Sequence, residues 1–193
     1  MILCGGPEDV AFTGEFKLVP VGKVRFAKVG RESRRIVGDP MYFVSVVRLL
    51  LVFPTASTVF ETAFWHHSAS MTAVIGKWYV FWASGVRLLL AGIRQVSQPR
   101  FTATEIFNID DPKIFAIVRE IGFGNLSMGM LGVTTIFRSA WLVPAAIAGG
   151  LYYGLAGLGH LLRKERNPNE AVAMLSDGFA FVVLFAVVVN GLR

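Results

Sequence analysis

The sequence predicts an all-α protein, a polytopic transmembrane helix bundle of about five helices. Three observations predict it. First, 54% of the 193 residues are hydrophobic and 17% charged, with a mean hydropathy of +0.57; soluble domains carry about 25% charged residues, so the apolar excess has to face something other than water. Second, five apolar stretches, near 41–63, 71–94, 114–137, 140–162 and 171–191, approach the length of about 20 residues that crosses roughly 30 Å of hydrocarbon as a helix. Third, lysine and arginine alternate in density between successive connections, which sets an orientation.

Residues 1–40 differ in kind from the rest. They mix Lys17, Lys23, Arg25, Lys28, Arg31, Arg34 and Arg35 with Glu8, Asp9, Glu15, Glu32 and Asp39, and short apolar pairs recur at a strand-like period of two. The segment is too charged for a signal peptide. It reads either as a cytoplasmic, disordered tail with room for a small hairpin, or as sequence ahead of a true start at Met41, which stands immediately before the first apolar run. Residues 41–193 form the transmembrane domain.

Along that domain, Pro54 is expected to kink the first helix, because proline lacks the N–H that the helix interior needs. In the second helix Arg87, Arg94 and Gln95 fall at i, i+7 and i+8 and form one polar face. The connection from Ser97 to Lys113 holds Pro99, then Thr102 with Glu105 three residues on, a capping-box pattern. It predicts a short amphipathic helix whose Phe101, Ile106 and Phe107 dip into lipid or cover the mouth of the bundle. The third helix carries Arg119 and Glu120 in its first turns. The fourth has Pro144 in its first turn, where the missing N–H costs little, and Ala146, Gly150 and Gly154 at a spacing of four. That small-xxx-small pattern lets backbones approach, and Gly122, Gly124, Gly129 and Gly132 mark the third helix as the expected partner.

Orientation follows from the basic residues. Arg94, Arg100, Lys113 and Arg119 lie in or beside the connection at the facing ends of the second and third helices and Arg163, Lys164 and Arg166 between the fourth and fifth, on the same side as the basic N-terminal segment. Only Lys77, Arg138 and Arg193 fall on the other side. The positive-inside rule makes the first side cytoplasmic, so the chain is expected in the cell membrane with a cytoplasmic N-terminus. Trp65, Trp78, Tyr79, Trp82 and Trp141 then gather near the outer interface. Because topology accounts for the basic residues, no nucleic-acid partner is expected; the lipid bilayer is the predicted partner.

Charged and polar side chains inside hydrocarbon are costly and mark functional or structural constellations. The candidates are Arg87, Glu120, Asn125, His160 and Asp177, with Arg94 and Gln95 as polar groups at the cytoplasmic face. At 1.5 Å per residue, Arg87 lies about 12 Å above Gln95 and Asp177 about 12 Å above Asn169. Equal depth predicts an Arg87–Asp177 ion pair. The cluster reads either as a ligand or proton site or as a self-satisfied pair that fixes helix register. No nucleophile–base–orienter spacing is visible, so the chain is expected to be non-enzymatic. His66 and His67 sit in an outer loop away from His160, and Cys4 is the only cysteine; no metal site and no cofactor are predicted.

From about Gly76 to Val189 the chain resembles an uncharacterised family of small prokaryotic multi-pass membrane proteins. The residues that carry the resemblance are Gly76-Lys77-Trp78, Arg87-Leu88, Gly92-Ile93-Arg94-Gln95, Gln98-Pro99, Phe101-Thr102-Ala103, Arg119-Glu120-Ile121-Gly122-Phe123, Asn125-Leu126, Pro144-Ala145-Ala146-Ile147, Tyr153-Gly154-Leu155-Ala156-Gly157, His160, Asn169-Glu170, Ala173-Met174 and Ser176-Asp177. The resemblance implies a membrane bundle and no particular activity. Through the Arg87 to Gly92 stretch the chain is also distantly similar to DoxX-like four-helix membrane proteins, which implies quinone-linked redox chemistry for some members and transfers no catalytic residue. Three functional classes therefore stand open. The first is a small transporter or ligand-binding bundle using the polar cluster. The second is an accessory subunit, homo-oligomeric or bound to a partner membrane subunit through its glycine faces. The third is a quinone-associated redox component.

Overall fold

The fold is that of a computed structural model describing residues 39–65, 70–163 and 167–192. The expectations for the N-terminal segment up to residue 38, its hairpin, and His66 and His67 lie outside the described residues, as do Lys164, Arg166 and Arg193. All described residues belong to one unit. It is helical, with five helices long and apolar enough to cross a membrane: α1 (Pro40–Phe64), α2 (Met71–Ser97), α4 (Ile114–Thr134), α5 (Ser139–Leu162) and α6 (Pro168–Gly191). Between α2 and α4, Pro99–Phe101 runs on into Thr102–Ile106 as a short α3. Five spans were expected, and five helices of that length and composition are found.

Helix ends are set by local chemistry. Asp39 caps α1, its Oδ1 accepting from the Met41 N–H at 3.0 Å, with Pro40 in the first turn. Ser70 caps α2 through Ala73 N–H, and Asn167 caps α6 through Glu170 N–H at 2.7 Å, again with proline following. Side-chain oxygens at these positions satisfy donors that the first helical turn leaves orphaned. Thr102 is not the cap of α3. The helix starts at Pro99, and Thr102 is buried inside it, so the short helix exists but the capping-box reading fails. Its start is set instead by Pro99, whose fixed φ suits a first helical position.

Three helices widen locally to i→i+5 turns, α1 over Arg48–Val52, α2 over Val80–Arg87 and α3 over Thr102–Ile106. The first lies directly before Pro54, where the pyrrolidine ring crowds the Leu50 carbonyl and donates nothing; Phe53 N–H reaches back to Arg48 O instead. The helix thus answers Pro54 with a wide turn, a common response to a broken i→i+4 ladder.

The core is made where α1, α2, α5 and α6 meet, with Leu50, Val80, Leu88, Ala146, Tyr153 and Leu184 among its buried members. Outward, α5 presents Leu151, Leu155, Leu158 and Leu162, and α6 presents Leu175, Val182 and Phe185. Such exposed apolar rows suit hydrocarbon and not water.

Glycine contacts differ from the expected pairing. The α4 glycines pack on α2: a Cβ at Gly122 would meet Gln95 and Val96, at Gly129 Leu89, and at Gly132 the backbone of Gly85 and Ser84. The α5 positions Gly149, Gly150 and Gly154 turn to Ser84, Leu184 and Phe181 of α2 and α6. The reason is register. Gly85 and Gly92 on α2 repeat at seven, as do Gly122 and Gly129 on α4, so those two faces mesh over their length.

At the end of the bundle away from α3, Glu61 of α1 is buried. Its Oε1 accepts from Lys77 Nζ at 2.6 Å and its Oε2 from Trp78 Nε1 at 2.6 Å. Trp82 Nε1 donates to Ser57 Oγ at 3.0 Å and stacks near Phe53. These bonds hold α1 against α2. Charge-assisted hydrogen bonds are worth about 1.5–3 kcal/mol each, so Glu61→Leu, which strands Lys77 and Trp78, is expected to lower stability by about 2 kcal/mol or more. Denaturation in mixed micelles, followed by tryptophan emission, measures it; unchanged stability would show that the contact is idle.

Candidate functional site

The wide turns of α2 end on Arg87 and aim it into the bundle. Its Nη2 donates to Asp177 Oδ1 at 2.7 Å and to Ser176 Oγ at 2.8 Å, both on α6. The guanidinium carbon lies 4.6 Å from the centre of the Tyr153 ring on α5, a distance at which the ring face attracts a cation. Tyr153 is fixed in turn by donating to the Ala83 carbonyl at 2.6 Å. Three helices thus converge on one buried cation.

One turn and more toward the α3 end, Asn125 on α4 donates its Nδ2 to Gln95 Oε1 on α2 at 2.7 Å. Further on, Glu170 Oε1 lies 3.0 Å from His160 Nδ1 and 3.2 Å from Arg163 Nη1. Glu170 is 1% exposed, so its side chain is met by these neighbours and not by water. Asp39 N–H donates to Asn169 Oδ1 at 2.8 Å, tying the start of α1 to the start of α6.

Between these groups lies a cavity of about 550 Å³, within the usual range for small-molecule sites of about 300–1,000 Å³. Arg87, Asn125, Tyr153 and Asp177 line it together with Tyr42 of α1, Tyr152 of α5 and an apolar remainder such as Leu49, Leu88 and Ala156. Arg94, His160, Arg163, Phe101, Ile106 and Phe107 line it toward the α3 end. Arg94 sits on the face of Phe101, 3.4 Å from the ring centre, and Arg163 lies 5.4 Å from the Phe107 ring. Asn167 Nδ2 donates to the Glu105 carbonyl at 3.0 Å, so α3 is fastened at the cavity by both stacking and hydrogen bonds.

Two polar atoms in this wall are left over. Arg87 Nη1 and Asn125 Oδ1 are buried and have no hydrogen-bond partner among the described residues. Each such atom costs free energy that a partner would recover, about 1–3 kcal/mol for a neutral group and more for a charged one.

Of the residues singled out from sequence, Arg87, Asn125, His160 and Asp177 line one cavity, with Arg94 and Gln95 beside them. Glu120 does not. It is exposed on α4, whose buried face runs through Val118, Gly122, Asn125 and Gly129; two residues from Gly122, at 100° each, it points away. Glu120, His160 and Asp177 are accordingly not gathered around one point. Glu170, Tyr153 and Ser176 entered the sequence reading only among the residues that carry the resemblance, not as site candidates, and Tyr42 did not enter it. Periodicity could have found two of them, because Glu170 stands seven residues before Asp177 and Tyr153 seven before His160, each on its neighbour's face.

No curated protein and no solved structure matches the chain. A family model does match, over residues 42–192, which takes in α1 from Tyr42 onward, α2 to α6 and every residue of the cavity wall. The chain therefore belongs to the family of unknown function DUF6790.

Proposed function

We propose that this protein is a membrane-embedded ligand-binding bundle, a small transporter or binding protein, whose site is the cavity walled by α1, α2, α4, α5 and α6. The observation that carries the reading is the pair of unpartnered buried atoms, Arg87 Nη1 and Asn125 Oδ1, in the wall of a cavity large enough for a small molecule. An ion pair that served register alone would be expected to close on itself, since each orphaned donor or acceptor weakens the fold. A ligand offering an acceptor to Arg87 and a donor to Asn125 completes both.

The charge bias supports an orientation in which the N-terminus and the α3 end are cytoplasmic. Arg94, Arg100, Lys113 and Arg163 gather at that end, against Lys77 and Arg138 at the other. The site then lies in the cytoplasmic half of the membrane, and α3 covers it from that side.

Asp177→Asn tests the reading, because asparagine keeps an oxygen that accepts from Arg87 while removing the charge. Native mass spectrometry of protein extracted in mild detergent is expected to find a small molecule on the wild type. The variant, at wild-type abundance, is expected to change how much of it is retained; unchanged retention would count against the site. Disappearance of Asp177→Asn from the membrane would make the cluster structural. A quinone in the extract would instead give the site the redox role that the DoxX-like resemblance implies.

A further inference from the structure

Resting on that reading, the geometry points to the chemical class of the ligand: we infer that the cavity takes a small amphipathic monoanion, a carboxylate on an apolar or aromatic body. Charge comes first. Arg87, Arg94 and Arg163 line the cavity, while among the described residues the carboxylates that meet them are Asp177 in the wall and Glu170 behind His160 and Arg163. Among the described residues three guanidiniums thus face two carboxylates, which leaves Arg94 without one, and one ligand carboxylate matches it. A second ligand charge would meet no further guanidinium without a carboxylate.

The position of the surplus charge gives the polarity of the ligand. Asp177 and Glu170 occupy Arg87 and Arg163, whereas Arg94 is exposed and no carboxylate pairs with it among the described residues. Stacked on Phe101 at 3.4 Å, the Arg94 guanidinium keeps its N–H edge free, as stacked arginines do. An anion meeting the α3 end is drawn first to Arg94, then finds the unpartnered Nη1 of Arg87 inside. The carboxylate offers two acceptor oxygens in one plane, matched to a guanidinium edge. A hydroxyl group on the same molecule would donate to Asn125 Oδ1, the second orphan.

The rest of the wall selects the body. Tyr42, Tyr152 and Tyr153 with Leu49, Leu88 and Ile121 present rings and aliphatic groups, surfaces that bind a flat or short apolar chain and offer little to a sugar or a polyphosphate. A phosphate monoester carries close to two charges at neutral pH, one more than the wall balances.

Calorimetric titration of the full chain in nanodiscs tests this, with phenylacetate and hexanoate as probes and their amides as neutral isosteres. The acids are expected to bind at least about tenfold more tightly than the amides, the worth of one charge-assisted contact. Arg94→Gln is expected to weaken the acids about threefold at low salt and less at high salt, because an exposed charge is screened. Arg119→Gln, an equal loss of charge on the exposed face of α4 outside the cavity wall, is expected to change nothing. Equal binding of acid and amide would overturn the anion inference and leave the binding-bundle reading in place. Binding of neither would overturn it too, while the native mass spectrum judges that reading separately.

Discussion

Asp177→Ala, made alone, is expected to destabilise the bundle by about 3–5 kcal/mol, the range found when one member of a buried ion pair is removed. The Arg87→Met, Asp177→Ala double variant is expected to recover most of that loss. Arg87 reaches Asp177 at 2.7 Å with both side chains about nine-tenths buried. Without the carboxylate the guanidinium keeps Ser176 and the Tyr153 ring as partners, neither of which bears a charge. In hydrocarbon an unpaired cation has no water to turn to. Methionine at the same position leaves the cavity wall apolar and removes the stranded charge along with its partner.

Denaturation of the two single variants and the double variant in mixed micelles gives the coupling energy directly. A coupling above about 1 kcal/mol is expected, more than the roughly 0.6 kcal/mol typical of neutral interhelical hydrogen bonds in membranes. A coupling near zero would show that the two residues do not meet. Stability and binding separate in the same set: the double variant is expected to fold yet bind no carboxylate, since Arg87 Nη1 is gone.

What could be read in the sequence was what depends on averages and depth. A span of about 20 apolar residues is recognisable without knowing its neighbours, so the five helices were visible with ends close to those found. The meeting of Arg87 with Asp177 was legible because a charge in the bundle needs a partner at its own level, and rise per residue gives the level. Azimuth was harder. Glu120 has a depth compatible with the site and the wrong face of α4, a face defined only once Gly122 and Gly129 are known to pack on α2. Widened turns escape periodicity altogether, because each alters the rotation of all that follows. The wide stretch Val80–Arg87 fixes where Arg87 points, and nothing in its eight residues announces it. Glu170 was hidden differently, as an acidic residue near a helix start where solvation is the ordinary reading; only the packing of His160 and Arg163 against it shows that it is buried.

Gly132→Ala is expected to be the most damaging single methyl group in the bundle, costing about 3 kcal/mol or more as overpacking against backbone. A Cβ there would stand 2.4 Å from Gly85 N and 2.6 Å from both Gly85 Cα and Ser84 C. None of those atoms is the end of a flexible side chain, so the methyl group fits only if α2 and α4 move apart. Helix association in a membrane draws little from the hydrophobic effect and depends on close packing, so separation there loses what holds the pair. The damage also reaches the site. Asn125 lies two turns along the same α4 face and Gln95 opposite it on α2, joined by the 2.7 Å hydrogen bond that holds the Asn125 wall of the cavity. Carboxylate binding is therefore expected to fall together with stability. Gly124→Ala is the control: nothing lies within 4 Å of a Cβ there, so it is expected to leave binding unchanged and to gain up to about 1 kcal/mol of helix stability. Equal tolerance of alanine at positions 124 and 132 would show that α2 and α4 do not pack through their glycines.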